Sequence, residues 1–298
     1  MEKTLTLPAR AKINIYLDIL SRRENGYHNI QSIMQTIDLC DTVTLTRLPA
    51  GSGICVETDV HGLPTDRSNL AWRAAERFAP LLGAIPDVKI RIEKRIPMAA
   101  GLGGGSADAA AVLRGLNRLF DIHAPIEELC RIGAGFGADI PFCTVGGAMQ
   151  VEGIGEILTP CKGLSERVWL LVACGGEGIS TPAAYGALDR MYDNFVAPHQ
   201  SEGRFDALRQ ALERDDLPAI GSHMYNIFEQ AVLPTHSTAP RLIGEMRQRG
   251  ALAAMMSGSG PSVFGLFEEE SVAREAAAGI ERELGIAVHV THPAANAE

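Results

Sequence analysis

Residues 101–110 read GLGGGSADAA. Four of the first five are glycine, and they run into a stretch where Ala109, Val112, Leu113, Leu116 and Phe120 recur at helical spacing. Glycine at the start of a helix costs chain entropy and weakens it. Ahead of the glycines lies DVKIRIEKRIP, with Val88, Ile90 and Ile92 alternating onto one face as in a strand. A strand, a glycine loop and a helix therefore follow one another, and something must approach that loop too closely for side chains. A helix N-terminus offers unpaired N–H groups and a partial positive charge. Glycines before it let phosphate oxygens reach those groups. Ser106 adds a hydroxyl able to contact a phosphate or a metal ion. The plainer alternative is a tight turn with Ser106 as an ordinary N-cap. Four glycines in five positions favour phosphate.

The loop is not a Walker A motif, because no Gly-Lys-Ser/Thr closes it. It is not the dinucleotide fingerprint, because Ser106 stands at the third glycine position. The His-Arg-Asp and Asp-Phe-Gly signatures of protein kinases are absent. A second glycine loop, SGSGPS at 257–262, lies between two strand-like runs. By itself it reads equally well as a flexible hairpin turn. Paired with the first loop it suggests a two-sided clamp.

With 298 residues the chain has room for one large domain or two ordinary ones. A net charge of −9 argues against nucleic acid as a partner, so attraction for an anionic substrate must be local. The six cysteines form no Cys-x-x-Cys pair and read as reduced thiols. MEKTLTLPARAK has no signal-peptide core, and the longest apolar run, VWLLVAC, is too short to span a bilayer. A cytoplasmic protein with no membrane association is the expectation.

Strands are expected over KINIYLDIL and IDLCDTVTLT with a turn at ENGYH between them, and a helix capped by Ser68 is expected through NLAWRAAERFAPLL. PIEELCRIGAGFG reads as a short helix and ADIPFCTVGGAMQVEGIGEILTP as strand and turn. A polar interval, Pro160 to Glu166, suggests a domain boundary. Beyond it, VWLLVAC, a helix opened by Ser180-Thr181-Pro182, ALAAMM, VFGLFE, SVAREAAAGIEREL and IAVHV give β-α-β-β-α-β, the ferredoxin-like order. Further helices are expected near Arg204–Arg214 and Pro240–Arg249.

Three segments, PARAKINIYL from Pro8, PMAAGLGGGSADAA from Pro97 and MSGSGPSVFGLF from Met256, resemble the three ordered motifs of the GHMP kinase superfamily. The resemblance covers essentially the whole chain. It implies an α+β fold: a domain like ribosomal protein S5 domain 2 over 1–160 that binds ATP, and a ferredoxin-like substrate-binding domain over 161–298, with the site between them. Within the superfamily, AKINIYLDILSRRENGYHNIQSIMQTIDLCDTV and GADIPFCTVGGAMQVEGIGE are similar to members that phosphorylate a CDP-linked polyol.

The resemblance also implies roles. Lys12 and Asp139 match the catalytic pair, the carboxylate accepting the substrate's hydroxyl proton and the ammonium steadying developing charge. Pro97, Gly101, Gly103, Gly104, Gly105 and Ser106 would surround the ATP phosphates, with Asn69 and Lys94 near its base and sugar. Tyr27, His28 and Tyr185 match a cytidine site, with Tyr27 and Tyr185 stacking on opposite faces of the base. Asn14, Gly258 and Gly260 would meet the rest of the substrate. Asp108 is expected to point away from the loop, since it would otherwise repel phosphate. ATP brings an expectation of Mg²⁺, for which Ser106 and Asp139 are the nearest candidates and no protein ligand is assigned. A monomer or a homodimer is expected.

Two other readings stay open at this point. Another superfamily kinase, acting on homoserine or mevalonate, is disfavoured by Tyr27-His28 and the NIQSIMQTIDL that follows. A non-catalytic nucleotide sensor has no chemical reason to keep both Lys12 and Asp139.

Overall fold

Alternating apolar residues in the first fifty positions build two long antiparallel strands, β1 (Thr4–Arg22) and β2 (His28–Arg47). The computed structural model describes residues 3–176, 180–192, 201 and 203–295. Gly26, at φ +85, turns the chain between β1 and β2 and carries Tyr27 and His28 at the tip. The ladder slips between Arg10 and Lys12, between Asn14 and Tyr16, and between Ile19 and Ser21. Such bulges re-aim side chains. At the first of them the Lys12 N–H leaves β2 and donates to Leu102 O at 2.9 Å.

The first sheet continues with β3 (Ile54–Thr58) and β4 (Val88–Glu93), which flank the helix α1 (Leu70–Leu82) in sequence. The helix α2 (Gly104–Leu119) follows the glycine loop and packs on β1, β2 and α1. Ala109, Val112, Leu113 and Leu116 are all fully buried there. Small residues let α2 sit this close; at Gly115 a Cβ would press into the side chains of Leu7 and Leu45. Next come α3 (Ile126–Ala134), α4 (Ile140–Val145), β5 (Ala148–Gly153) and β6 (Ile157–Pro160). The sheet order is β3-β4-β2-β1, with β5 on the other part of β2 and β6 beside β5.

The chain crosses to a second sheet with β7 (Trp169–Cys174) and the helix α5 (Thr181–Met191). After α6 (Arg204–Arg214) and α7 (Leu217–His223), a two-residue strand, β8 (Tyr225–Asn226), returns to pair in parallel with β1 at Tyr16 and Leu17. Then follow α8 (Phe228–Val232), α9 (Thr238–Gln248), β9 (Ala253–Met256), β10 (Ser262–Phe267), α10 (Glu270–Leu284) and β11 (Val288–Thr291). The order β11-β7-β10-β9, all antiparallel, is the ferredoxin-like arrangement. Residues past β11 stitch the two sheets together, with an isolated bridge between Ile37 and Pro293.

Two local expectations change, and the plainer alternative for Ser106 is not met. Ile140–Val145 is helical, not strand or turn, because Pro141 fits a first helical turn and Gly146, at φ +74, ends it. Ser106 lies within the first turn of α2; the N-cap is Gly103, in the left-handed region. Asn69, not Ser68, caps α1: its Oδ1 accepts from Ala71 N at 2.8 Å and its Nδ2 donates to Pro64 O. Asn69→Ala is expected to cost about 1 kcal/mol, while Ser68→Ala leaves the urea midpoint nearly unmoved.

Candidate active site

The two glycine loops touch. Ser257 Oγ donates to Gly101 O at 3.1 Å, and Ser262 N–H donates to Ala100 O at 3.2 Å. Gly101 has φ +78, and a Cβ there would fall inside the Ser257 carbonyl oxygen. Gly103 has φ +71, and its Cβ would sit 3.0 Å from Lys12 Cγ. The chain's own close approach thus accounts for these two glycines. Gly104 is tighter than an ordinary contact against Ile96, at 3.1 Å. Gly105 differs: it is exposed, and a Cβ would meet nothing nearer than Leu70 Cδ1 at 3.5 Å. It leaves the α2 N-terminus open to an approaching anion.

Beside the loop, Lys12 is almost fully buried on β1. Its Nζ donates to Asn14 Oδ1 at 2.7 Å; Asn14 Nδ2 donates to Ser32 Oγ at 2.9 Å; Ser32 donates to Tyr16 O at 2.5 Å. Ser32 carried no signal in the sequence, since its part depends on pairing across β1 and β2. The chain of hydrogen bonds fixes the Asn14 amide and aims the ammonium. Asp139 approaches it to 3.8 Å. Asp139 stands at the N-cap position of α4 yet caps nothing with its side chain, so the carboxylate is left to the cavity.

That cavity has a volume of about 910 Å³. Lys12, Asn14, Tyr27, His28, Lys94, Pro97, Gly101, Gly103, Gly104, Gly105, Ser106, Asp139, Tyr185 and Gly258 all line it. Asn69 and Gly260 do not. Asn69 is spent on its cap, and Gly260 is held at φ +75 against the Met256 side chain. Their roles at the ATP base and at the substrate find no support in this geometry.

At the far end, the Tyr185 ring lies on the His28 imidazole, centroids 4.7 Å apart at 22°, and stands perpendicular to the Phe228 ring. Tyr27 is exposed. The expected arrangement had Tyr185 facing Tyr27 across a base; here the imidazole takes the Tyr185 face, because both rings pack at the junction of β2 and α5. His28 Nε2 bonds Asp189 Oδ1 at 2.7 Å, and Arg22 pairs with the same carboxylate at 3.6 Å. Asp189 was missed. Its spacing of four from Tyr185 on one helix was the available signal, since such residues share a face.

Lys94 is likewise unlike the expectation. Its ammonium is closed between Asp41 and Asp108, with Asp108 Oδ2 at 2.8 Å. Asp108 is buried, with its carboxylate turned to Lys94 and off the cavity wall. Burial pushes its carboxyl above the usual carboxylate range, against the pull of the Lys94 ammonium. Among the described residues no group of three or more His, Cys, Asp or Glu side chains is placed to hold a metal ion. No described helix is long and apolar enough to cross a membrane.

Against known proteins, residues 69–147 match the family model "GHMP kinases N terminal domain" and residues 208–286 match "GHMP kinases C terminal". The chain is 42% identical to 4-diphosphocytidyl-2-C-methyl-D-erythritol kinase of Clostridium perfringens, over 91% of this chain and 92% of that protein. It is 41% identical to the protein of the same name from Alkaliphilus metalliredigens, over 92% and 91%. A crystal structure of 4-(cytidine 5'-diphospho)-2C-methyl-D-erythritol kinase superposes with a TM-score of 0.78 at 30% identity, covering 97% of this chain and 99% of that one. Homoserine kinase from Cytophaga hutchinsonii superposes at 0.79 with 19% identity, covering 100% and 96%, which is a likeness of fold alone.

Proposed function

The chain belongs to the GHMP kinases, among the 4-diphosphocytidyl-2-C-methyl-D-erythritol kinases, and on that premise we propose how its own residues carry out the reaction. It is a small-molecule kinase that takes ATP as phosphoryl donor. The acceptor is the 2-hydroxyl of 4-diphosphocytidyl-2-C-methyl-D-erythritol, a step in the non-mevalonate route to isoprenoid precursors.

The observation that carries the mechanism is Lys12 Nζ at 3.8 Å from Asp139 Oδ2, beside a helix N-terminus with an open glycine at its second residue. The ATP phosphates lie on the α2 N–H groups at Gly104, Gly105 and Ser106. The substrate hydroxyl lies at Asp139. Its proton passes to the carboxylate as its oxygen bonds to the γ-phosphorus. The bond from that phosphorus to the bridging oxygen breaks, and ADP leaves with the electron pair. The Lys12 ammonium, held by Asn14, offsets the negative charge that builds on the transferring group. The nucleotide end of the acceptor lies towards Tyr27, His28 and Tyr185.

Ser106 and Asp139 both line the cavity, and their hydroxyl and carboxylate are the oxygens that would hold a Mg²⁺ there beside the phosphates and water. When bound, the ion would neutralise phosphate charge. The segments 1–160 and 161–298 are proposed as the ATP-binding and substrate-binding domains.

A coupled ADP-release assay tests the reading, with the CDP-linked substrate set against mevalonate and homoserine. Turnover confined to the CDP-linked polyol is expected. Turnover on a control alone removes the cytidine site from Tyr27, His28 and Tyr185 and leaves the Lys12–Asp139 chemistry in place.

A further inference from the structure

Asp41 of β2, Lys94 just past β4 and Asp108 of α2 meet out of water. Asp41 lies on β2 and is fully buried; the side chains of Lys94 and Asp108 are 5% and 3% exposed. Asp41 does more than pair. Its Oδ1 accepts the N–H groups of Arg95 and Ile96 at 2.6 and 2.8 Å, so it grips the chain just past β4. Its Oδ2 takes the Lys94 ammonium, which also reaches Asp108 in the second turn of α2. This gripped segment lies directly under the first residue of α2: a Cβ on Gly104 would stand 3.1 Å from Ile96 Cγ2 and 3.4 Å from Lys94 Nζ.

The arrangement is expensive for a core. Two carboxylates share one ammonium, and Asp108 Oδ1 has no hydrogen-bond partner among the described residues. An apolar side chain of similar volume at 108 avoids that cost. We propose that the cluster is a strut for the phosphate loop. Asp41 and Asp108 are its positioning residues, and Lys94 acts on the nucleotide by fixing the height of the Gly104 backbone instead of by touching the base or sugar. The proposal rests on the kinase reading for the identity of the ligand. It follows that removing the Asp108 anchor weakens nucleotide binding without touching the acceptor site, although Asp108 itself contacts no ligand.

The test uses the full chain and two titrations by calorimetry: AMP-PNP with Mg²⁺, and the CDP-linked polyol alone. Asp108→Ala is expected to raise the AMP-PNP Kd by about tenfold or more, with the polyol Kd within about twofold of wild type. Asp108→Asn restores AMP-PNP binding to within about threefold, because the amide oxygen still accepts from Lys94. A residue that only supports folding lowers Tm and leaves the two Kd values in their original ratio. Should Asp108→Ala fail to fold, Asp108→Leu keeps the volume, cannot accept a hydrogen bond and carries the same expectation. Equal AMP-PNP binding by Asp108→Ala and wild type, with binding lost in Lys94→Met, overturns the strut and returns Lys94 to direct contact. A wild-type chain that binds no AMP-PNP overturns the kinase reading, and the strut falls with it.

Discussion

Asp139→Asn is expected to lower kcat by about 10²–10⁴-fold, the usual share of a general base, while nucleotide affinity stays near wild type. The amide keeps the shape of the carboxylate and loses its proton affinity. The variant should fold normally, because Asp139 makes no capping hydrogen bond and its side chain is about a third exposed. Removing the carboxylate also takes away the nearest anion to Lys12, whose ammonium remains anchored by Asn14. Binding of ATP therefore separates from turnover. Single-turnover phosphoryl transfer and a calorimetric Kd for AMP-PNP read the two quantities independently. Wild-type turnover in Asp139→Asn would remove the base from this position, and the hydroxyl proton would then have to leave to solvent.

Gly101→Ala should be severely damaging for a single added methyl group. The backbone at Gly101 is left-handed, and the added Cβ meets backbone, the Ser257 carbonyl oxygen and Gly260 N at 3.0 Å, which cannot rotate away. The conformational penalty and the overpacking together come to roughly 2–5 kcal/mol. That is a large part of the about 5–15 kcal/mol that keeps a domain folded. The two glycine loops must part, and the phosphate site goes with them. Gly105→Ala is the control. It sits within α2, outside the left-handed region, with its nearest neighbour at ordinary contact distance. Its Tm should hold or rise, since alanine favours the helix by about 1 kcal/mol over glycine. Its KM for ATP should rise, because the methyl group occupies space needed by phosphate. A Gly101→Ala protein with unchanged Tm and KM would mean that the loops do not touch in solution; a Gly105→Ala protein with unchanged KM would mean that phosphate lies elsewhere.

The difference between these two glycines shows how far the sequence could be read. Four glycines before a helix announced that something comes close to the backbone. Which neighbour comes close at each position depended on the fold: another loop at Gly101, the Lys12 stem at Gly103, and at Gly105 only Leu70 at ordinary contact distance. Lys12 and Asp139 lie 127 positions apart, and their pairing at 3.8 Å follows from a bulge in β1 and the start of a six-residue helix. That helix was read as strand and turn because it is too short to show a period.

Local order was written in the chain because it depends on near neighbours. The alternation that makes β1 and β2, the spacing that makes α2 and the ferredoxin-like succession of elements all follow from residues a few positions apart. The ordered motifs in turn pointed to the family. Partnerships between distant polar side chains were decided only by tertiary structure. Asp41 gripping the chain beyond Lys94, Asp189 holding His28, Ser32 carrying the bonds from Lys12 onto β2 and the Tyr185 ring lying on His28 each join segments far apart in sequence. A buried charge takes whichever opposite charge or N–H the packing brings to it, because leaving it unpaired costs more than any local preference supplies. That choice is made in space, and sequence spacing holds no record of it.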